Sequence, residues 1–174
     1  MPRPKDDYPS HPHPYPNDGA FSLPVDLELS KLAPSRATVL VIGGAPELRQ
    51  AAAIALHQRS PRRSSPFVAF HCRAHPSSDV GRELFGGPPH EASLVGGAVE
   101  RARSGTLYLA DIDALPAVEQ PRFLRFLDQE RAARVVVSSA VELSGQVSLG
   151  KLRLDLAERL MAIELLLADD GTNA

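Results

Sequence analysis

The stretch Val39-Leu40-Val41-Ile42-Gly43-Gly44 decides how this chain folds. Four apolar residues in a row, three of them β-branched, leave no face for water, so the strand they form is covered on both sides. The predicted strand spans 37–42, and Gly43 and Gly44 close it with the backbone freedom of a tight turn. Pro46 then stands where the first turn of a helix has no use for an amide hydrogen. The alanine-rich run 47–59 continues that helix, and Pro61 lies beyond its end. A strand, a glycine turn and a helix in this order open a parallel α/β unit. Where the turn carries the right residues, the same arrangement cradles phosphate groups.

Working outward, strand and helix signals alternate. The spacing predicts a strand over 66–71, a helix over 77–85, a glycine- and proline-bearing loop over 86–97 and a short helix over 99–103. A strand over 106–109 follows, then an amphipathic helix over 117–130 with Phe123, Leu124 and Leu127 on one face. Strand 134–139, helix 149–160 and strand 162–167 complete the series. Such alternation implies a parallel sheet with helices on both faces.

Composition sets the domain plan. The chain has 174 residues, enough for one domain and a tail. Pro2, Pro4, Pro9, Pro12, Pro14 and Pro16 sit among polar and histidine residues, so 1–22 is expected to be a disordered tail without the apolar area to offset its ordering entropy. The domain is expected over 23–168 and a flexible end over 169–174. A net charge of -2 supplies no general attraction for nucleic acid or an anionic membrane. The single cysteine, Cys72, excludes an internal disulfide framework and fits a reducing compartment as a buried thiol. No apolar run approaches the ~20 residues that span a bilayer, and the first residues lack a secretory apolar core. A cytoplasmic protein is expected.

Dispersed blocks carry a family resemblance. They are Ser60-Pro61-Arg62-Arg63, Pro66-Phe67-Val68-Ala69 with Cys72, Glu83-Leu84-Phe85-Gly86, Gly105-Thr106-Leu107-Tyr108-Leu109, and Asp113-Ala114-Leu115-Pro116 with Gln120 and Leu124-Arg125-Phe126-Leu127. Arg153-Leu154-Asp155-Leu156 and Arg159-Leu160 end the series. Residues 38–167 thereby resemble the central AAA+ module of bacterial enhancer-binding proteins, the sigma-54-dependent transcriptional activators. The resemblance implies a P-loop NTPase-like AAA+ core of α/β class. The residues after 167 are too few for that module's helical lid, which is expected to be absent, and no receiver or helix-turn-helix segment is expected beside it.

Against the family pattern, the phosphate loop departs at three positions. A working loop needs glycines for its amide cradle and a lysine for the β- and γ-phosphates. Here the corresponding positions are Pro46, Leu48 and Arg49. Proline removes a donor, leucine resists glycine-only angles, and a forked guanidinium replaces a compact ammonium. Arg49 reads either as a residual phosphate contact or as a surface arginine on the helix's first turn. The metal-binding aspartate at the end of the third core strand is matched by Ala110 and its acidic neighbour by Asp111. Asp111 with Asp113 could take magnesium; solvated or capping carboxylates are the plainer account. Ser139-Ala140 stands where the family usually has Thr-Asn. The loop 87–96 is shorter than the family's sigma-contacting insertion and lacks its Phe-Thr pair, with Leu94 and Val95 as contact candidates.

The resemblance also makes Arg153 and Arg159 candidates for arginine fingers donated to a neighbouring subunit's nucleotide, with pairing to Asp155, Glu158 or sheet-end carbonyls as the alternative. His11 and His13 lack a rigid frame for a metal, and Arg59, Arg62, Arg63 and Arg73 read as a solvated basic loop rather than a nucleic-acid surface. The expectation is therefore a catalytically inactive module, a pseudo-ATPase, that acts as a regulatory or protein-interaction domain. Its expected partners are AAA+ homologues, intact enhancer-binding proteins among them, or other transcription-regulatory proteins, with no DNA-binding motif, resident metal or cofactor. Two alternatives stay open: a transcriptional regulator with a weak Mg-ATP site on Gly43, Gly44, Arg49 and Asp111, and a vestigial domain.

Overall fold

Five parallel strands, β1 Val39–Ile42, β2 Phe67–His71, β3 Thr106–Ala110, β4 Arg134–Ser139 and β5 Glu164–Leu166, form one sheet in the order β2-β3-β4-β1-β5. The computed structural model describes residues 21–87, 96–129 and 133–168. Seven helices lie among these residues: α1 Leu23–Leu32, α2 Pro46–Gln58, α3 Val80–Phe85, α4 Ala98–Arg101, α5 Gln120–Asp128, α6 Leu143–Ser148 and α7 Leu154–Leu160. Residues 1–20 of the tail expected over 1–22, residues 88–95 of the loop expected over 86–97 and the end 169–174 lie outside the described residues, as do His11, His13, Leu94 and Val95.

The period-two geometry of each strand sorts its residues between two cores. Val39, Val41, Tyr108, Ala110 and Val136 face one layer, where they pack with Leu29 of α1 and Ala52, Ala53 and Leu56 of α2. Leu40, Leu107, Leu109, Val135 and Val137 face the other, where they meet Val80, Leu84, Phe123, Leu143 and Leu156 from α3, α5, α6 and α7. Each fully buried Leu or Val contributes about 1.5–3 kcal/mol relative to exposure, which is why the three central strands carry apolar residues on both faces.

Two expectations need correction. The helix foreseen over 149–160 forms only as α7, after a break at Gly150, φ 68°, and the helix before that break, α6, was not foreseen. Gln120 holds the break open by donating to the Lys151 carbonyl at 2.8 Å and accepting the Arg153 amide at 2.9 Å. A side chain more than thirty residues away thus delays the start of a helix whose spacing looks continuous from 149 in one dimension. Helix α1 was not foreseen. Its apolar residues, Leu23, Val25, Leu27, Leu29 and Leu32, do not fall on one helical face, and it is fixed by tertiary contacts: Leu29 is fully buried, and Arg59 donates to the Asp26 carboxylate at 2.6 Å and to Ser30 Oγ at 3.0 Å.

At the N-terminal edge of the sheet, Arg134 is 2% exposed. It donates to the carbonyls of Leu32 at 2.8 Å, Ala33 at 2.9 Å and Leu56 at 3.2 Å, at or near the C-terminal ends of α1 and α2. Helix ends present unpaired carbonyls and partial negative charge, so one guanidinium locks both helices onto β4. Nothing in the run Arg134-Val135-Val136-Val137 announces this role.

Candidate functional site

In open parallel sheets the ligand crevice lies beyond the C-terminal strand ends. Register brings three such ends together here: Ile42 pairs with Ser139, and Leu109 with Val137. The loop after β1 turns through Gly43 at φ 82° and Gly44 at φ 64°. A Cβ on Gly43 would lie 2.4 Å from the Leu167 carbonyl oxygen, so only glycine fits the close passage of the chain after β5. The space beside Gly44 is taken by Leu48 and Leu167, whose side chains would lie 3.1 and 3.3 Å from an added Cβ.

Arg49 is not on the surface. It is 4% exposed, and its Nη1 donates to the Gly44 carbonyl at 2.5 Å and to the Gly43 carbonyl at 3.4 Å. Its Nη2 lies 3.8 Å from the Asp111 carboxylate. The guanidinium thus folds back onto the loop that precedes its own helix. Asp111 occupies the left-handed region at φ 56°, which turns the chain sharply at the end of β3.

Arg73, expected in a solvated loop, is brought to the site from the short 3-10 turn Cys72–Ala74. It approaches Asp111 at 3.9 Å and forms a close ion pair with Asp113. Asp113 also accepts from Ser139 Oγ at 3.2 Å, and the same hydroxyl donates to the Val141 carbonyl at 2.7 Å. Two arginines and two aspartates therefore alternate across the strand ends, and Asp113 is a paired carboxylate rather than a solvated one. Among the described residues no group of three or more His, Cys, Asp or Glu side chains is arranged to hold a metal.

A cavity of about 180 Å³ opens beside this cluster, lined by Arg49, Asp111, His71, Tyr108 and Ser138 among others. The Tyr108 and Ser138 hydroxyls are 2.8 Å apart and buried, and burial raises the Tyr108 pKa. Cys72 is 2% exposed; burial first, then the nearby Asp111 and Asp113 charges, push its thiol up to about 12. This is a structural thiol, not a nucleophile.

The two finger candidates are at opposite ends of α7. Arg153, at its N-cap, makes a bidentate pair with Asp155 at 3.0 and 2.7 Å. Arg159, in its last turn, donates to Asp128 at 3.2 Å and to the Leu127 carbonyl at 3.3 Å. The partner of Arg159 is thus Asp128 of α5, a contact that no local spacing could reveal. Arg62, also expected in solvent, donates to the Gly105 carbonyl at 3.3 Å.

Sheet order and strand-end crevice define a P-loop NTPase-like α/β domain of AAA+ type. The model of the sigma-54 interaction domain matches residues 25–166, and the chain belongs to that family. It is 35% identical over 156 residues to the sigma54-dependent transcriptional activator SfnR of Pseudomonas putida, a match covering 79% of this chain and 42% of that protein. It is 34% identical over 159 residues to the regulatory protein AtoC of Escherichia coli, covering 80% of this chain and 34% of AtoC. The chain spans less than half the length of these relatives. Among solved structures it is similar to NtrX from Brucella abortus in complex with ATP, with TM-score 0.76, 26% identity and coverage of 84% of this chain and 37% of that one. The P-loop NTPase domain of an E. coli sigma-54 transport activator, at 17% identity and TM-score 0.62 over 83% of this chain and 92% of that one, has the same fold. Among the described residues no helix is long and apolar enough to cross a membrane.

Proposed function

We propose that this chain is a sigma-54-activator-type module that works by binding other proteins rather than by turning over ATP. The observation that carries this reading is the placement of Arg49. A lysine in a phosphate loop reaches outward to the β- and γ-phosphates; Arg49 instead spends its donors on the carbonyls of Gly43 and Gly44. Leu48 and Leu167 fill the space beside the loop, and Asp111 and Asp113 face Arg49 and Arg73 rather than an open coordination site. Ala110 offers no side-chain oxygen where the family's magnesium ligand stands. These residues do not fit Mg-ATP held in the family's manner. The module's remaining asset is its surface, and intact enhancer-binding proteins, built on the same fold, are the partners it is best shaped to meet.

The test has two parts. Calorimetric titration of the full chain with Mg-ATP and a slowly hydrolysed analogue is expected to give no binding that depends on Arg49 or Asp111. Co-purification with an intact activator is expected to succeed and to change that partner's ATPase rate. Saturable nucleotide binding lost in Arg49→Ala and Asp111→Ala would sink the proposal. It would establish the second reading, a weak nucleotide-binding regulator, which the likeness to the ATP complex of NtrX favours.

A further inference from the structure

Around the glycine loop the strand ends are tied by charge where the backbone ladder gives out. The last paired residues are His71 with Ala110, Leu109 with Val137, and Ile42 with Ser139. Beyond them, side chains carry the connection across the sheet. Arg49 bonds the carbonyls of Gly43 and Gly44 after β1 and faces Asp111, after β3, at 3.8 Å. Arg73, after β2, lies 3.9 Å from Asp111 and pairs closely with Asp113. Asp113 lies 3.2 Å from the hydroxyl of Ser139, which ends β4 and accepts the Val141 amide at 3.2 Å.

Two properties make these contacts depend on one another. The side chains of Arg49 and Asp113 are 4% and 6% exposed and that of Asp111 is 20% exposed, whereas Arg73 is 59% exposed. A charge held away from water is costly unless it is paired, so removing any one of the four leaves an uncompensated neighbour in a largely dry place. Asp111 is also shared. It stands 3.8 Å from one arginine and 3.9 Å from the other and makes a tight pair with neither. Loss of Arg73 therefore changes what Arg49 faces, although the two arginines sit on different elements, the turn after β2 and helix α2.

We propose that Arg49, Asp111, Arg73 and Asp113, with Ser139, form an internal brace that holds the ends of β1, β2, β3 and β4 as one cooperative unit without a bound ligand. The two arginines supply from the chain itself the positive charge that the two carboxylates need, and Arg49 holds the Gly43-Gly44 loop from within. A crevice braced in this way keeps its shape in the absence of nucleotide, so the module presents one fixed surface to other proteins. Arg73, the exposed member, is where the brace can be released. The inference deepens the function proposed above and rests on its reading that Mg-ATP is not held here.

Amide hydrogen exchange of the full chain, without nucleotide, would be followed residue by residue in the wild type, Arg73→Gln, Asp113→Asn and Arg49→Met, with Arg103→Gln as a control. The reporters lie at the two ends of the brace: the amides of Leu48 and Arg49, bonded to the Ala45 carbonyl, and the amide of Val141. Arg73→Gln and Asp113→Asn are expected to speed exchange at Leu48 and Arg49 about fivefold or more, and Arg49→Met to speed Val141 by a similar factor. Arg103→Gln, which removes a pair with Glu100, is expected to leave all three unchanged. Val136, fully buried in a central strand, exchanges on global opening, so rates at the reporters above that of Val136 report local release. Arg73 is largely exposed, so Arg73→Gln keeps the fold and carries the test even where Arg49→Met lowers stability. Unchanged rates at Leu48 and Arg49 in Arg73→Gln, or acceleration confined to residues beside each substitution, overturn the brace. The nucleotide titration described above can fail without altering this result, because the exchange is read in nucleotide-free protein.

Discussion

Gln120, the first residue of α5, accepts the backbone amide of Arg153 at 2.9 Å and so sets where α7 begins. Its amide nitrogen donates to the carbonyls of Leu115 at 3.0 Å and Lys151 at 2.8 Å. One buried carboxamide thereby joins the segment after β3 to the break between α6 and α7. Truncation leaves three backbone groups unsatisfied. Gln120→Ala is expected to cost about 2–3 kcal/mol, read as a lower urea midpoint. Gln120→Glu keeps the acceptor and loses the donors, so an intermediate loss is expected. A change below about 0.5 kcal/mol in Gln120→Ala would mean that water replaces the clamp.

Gly97 closes the base of the loop between α3 and α4. An added Cβ would lie 2.3 Å from the Gly86 amide nitrogen and 2.6 Å from the Leu84 carbonyl oxygen, both backbone atoms that cannot swing away. Gly97→Ala is therefore expected to destabilise by about 1–3 kcal/mol or more. Gly145, within α6, has nothing within 4 Å of its added Cβ. Gly145→Ala should be neutral or stabilise by up to about 1 kcal/mol. Equal losses in the two variants, measured by thermal unfolding, would contradict the steric account.

His57 is held below its ordinary value of 6.5, by burial first and by the Arg134 charge second. Its Nδ1 lies 2.9 Å from the Thr106 hydroxyl. Below pH 6.5 the unfolded chain takes up a proton that the folded imidazole refuses, so stability falls as the pH drops and levels off once the folded group also titrates. The slope attributable to His57 is at most about 1.4 kcal/mol per pH unit. His57→Gln should flatten the curve in that window even if it lowers stability at neutral pH. An unchanged slope would show that His57 is not its source.

Cys72 supplies the opposite sign. Because its thiol is pushed up from 9.0 to about 12, the unfolded chain loses a proton above pH 9 while the folded chain keeps it. Stability should fall between those values, and Cys72→Ala should remove that part of the decline. At pH 8 a thiol-specific chromogenic reagent should leave the native protein unreacted and modify the urea-unfolded chain. Equal rates in both states would mean that the thiol is open to solvent.

Much of the frame was legible along the chain because it rests on local periodicity. The strand predicted over 134–139 forms over those residues, and the ends of β1, β2, β3 and β5 lie within two residues of those expected. Pro46 begins α2, as its lack of an amide hydrogen predicts. The site was legible as a set of residue types but not as a geometry. Gly43, Gly44, Arg49 and Asp111 were identifiable, yet the return of Arg49 onto its own loop depends on the turn through two left-handed glycines and on Leu167 arriving from β5. Arg73 was assigned to solvent because no linear signal ties it to carboxylates about forty residues later.

The sequence by itself determined the class of the fold, because an apolar run that leaves no polar face must be covered twice whatever its neighbours are. Glycine and proline placed the turns, since their effect on φ is a property of the residue alone. Tertiary structure alone decided which charges meet. Arg134 reaches two helix ends, Arg159 finds Asp128, and Arg73 joins Asp113. A guanidinium on a long side chain can pair with any acceptor within reach, and only the packed backbone determines which one that is.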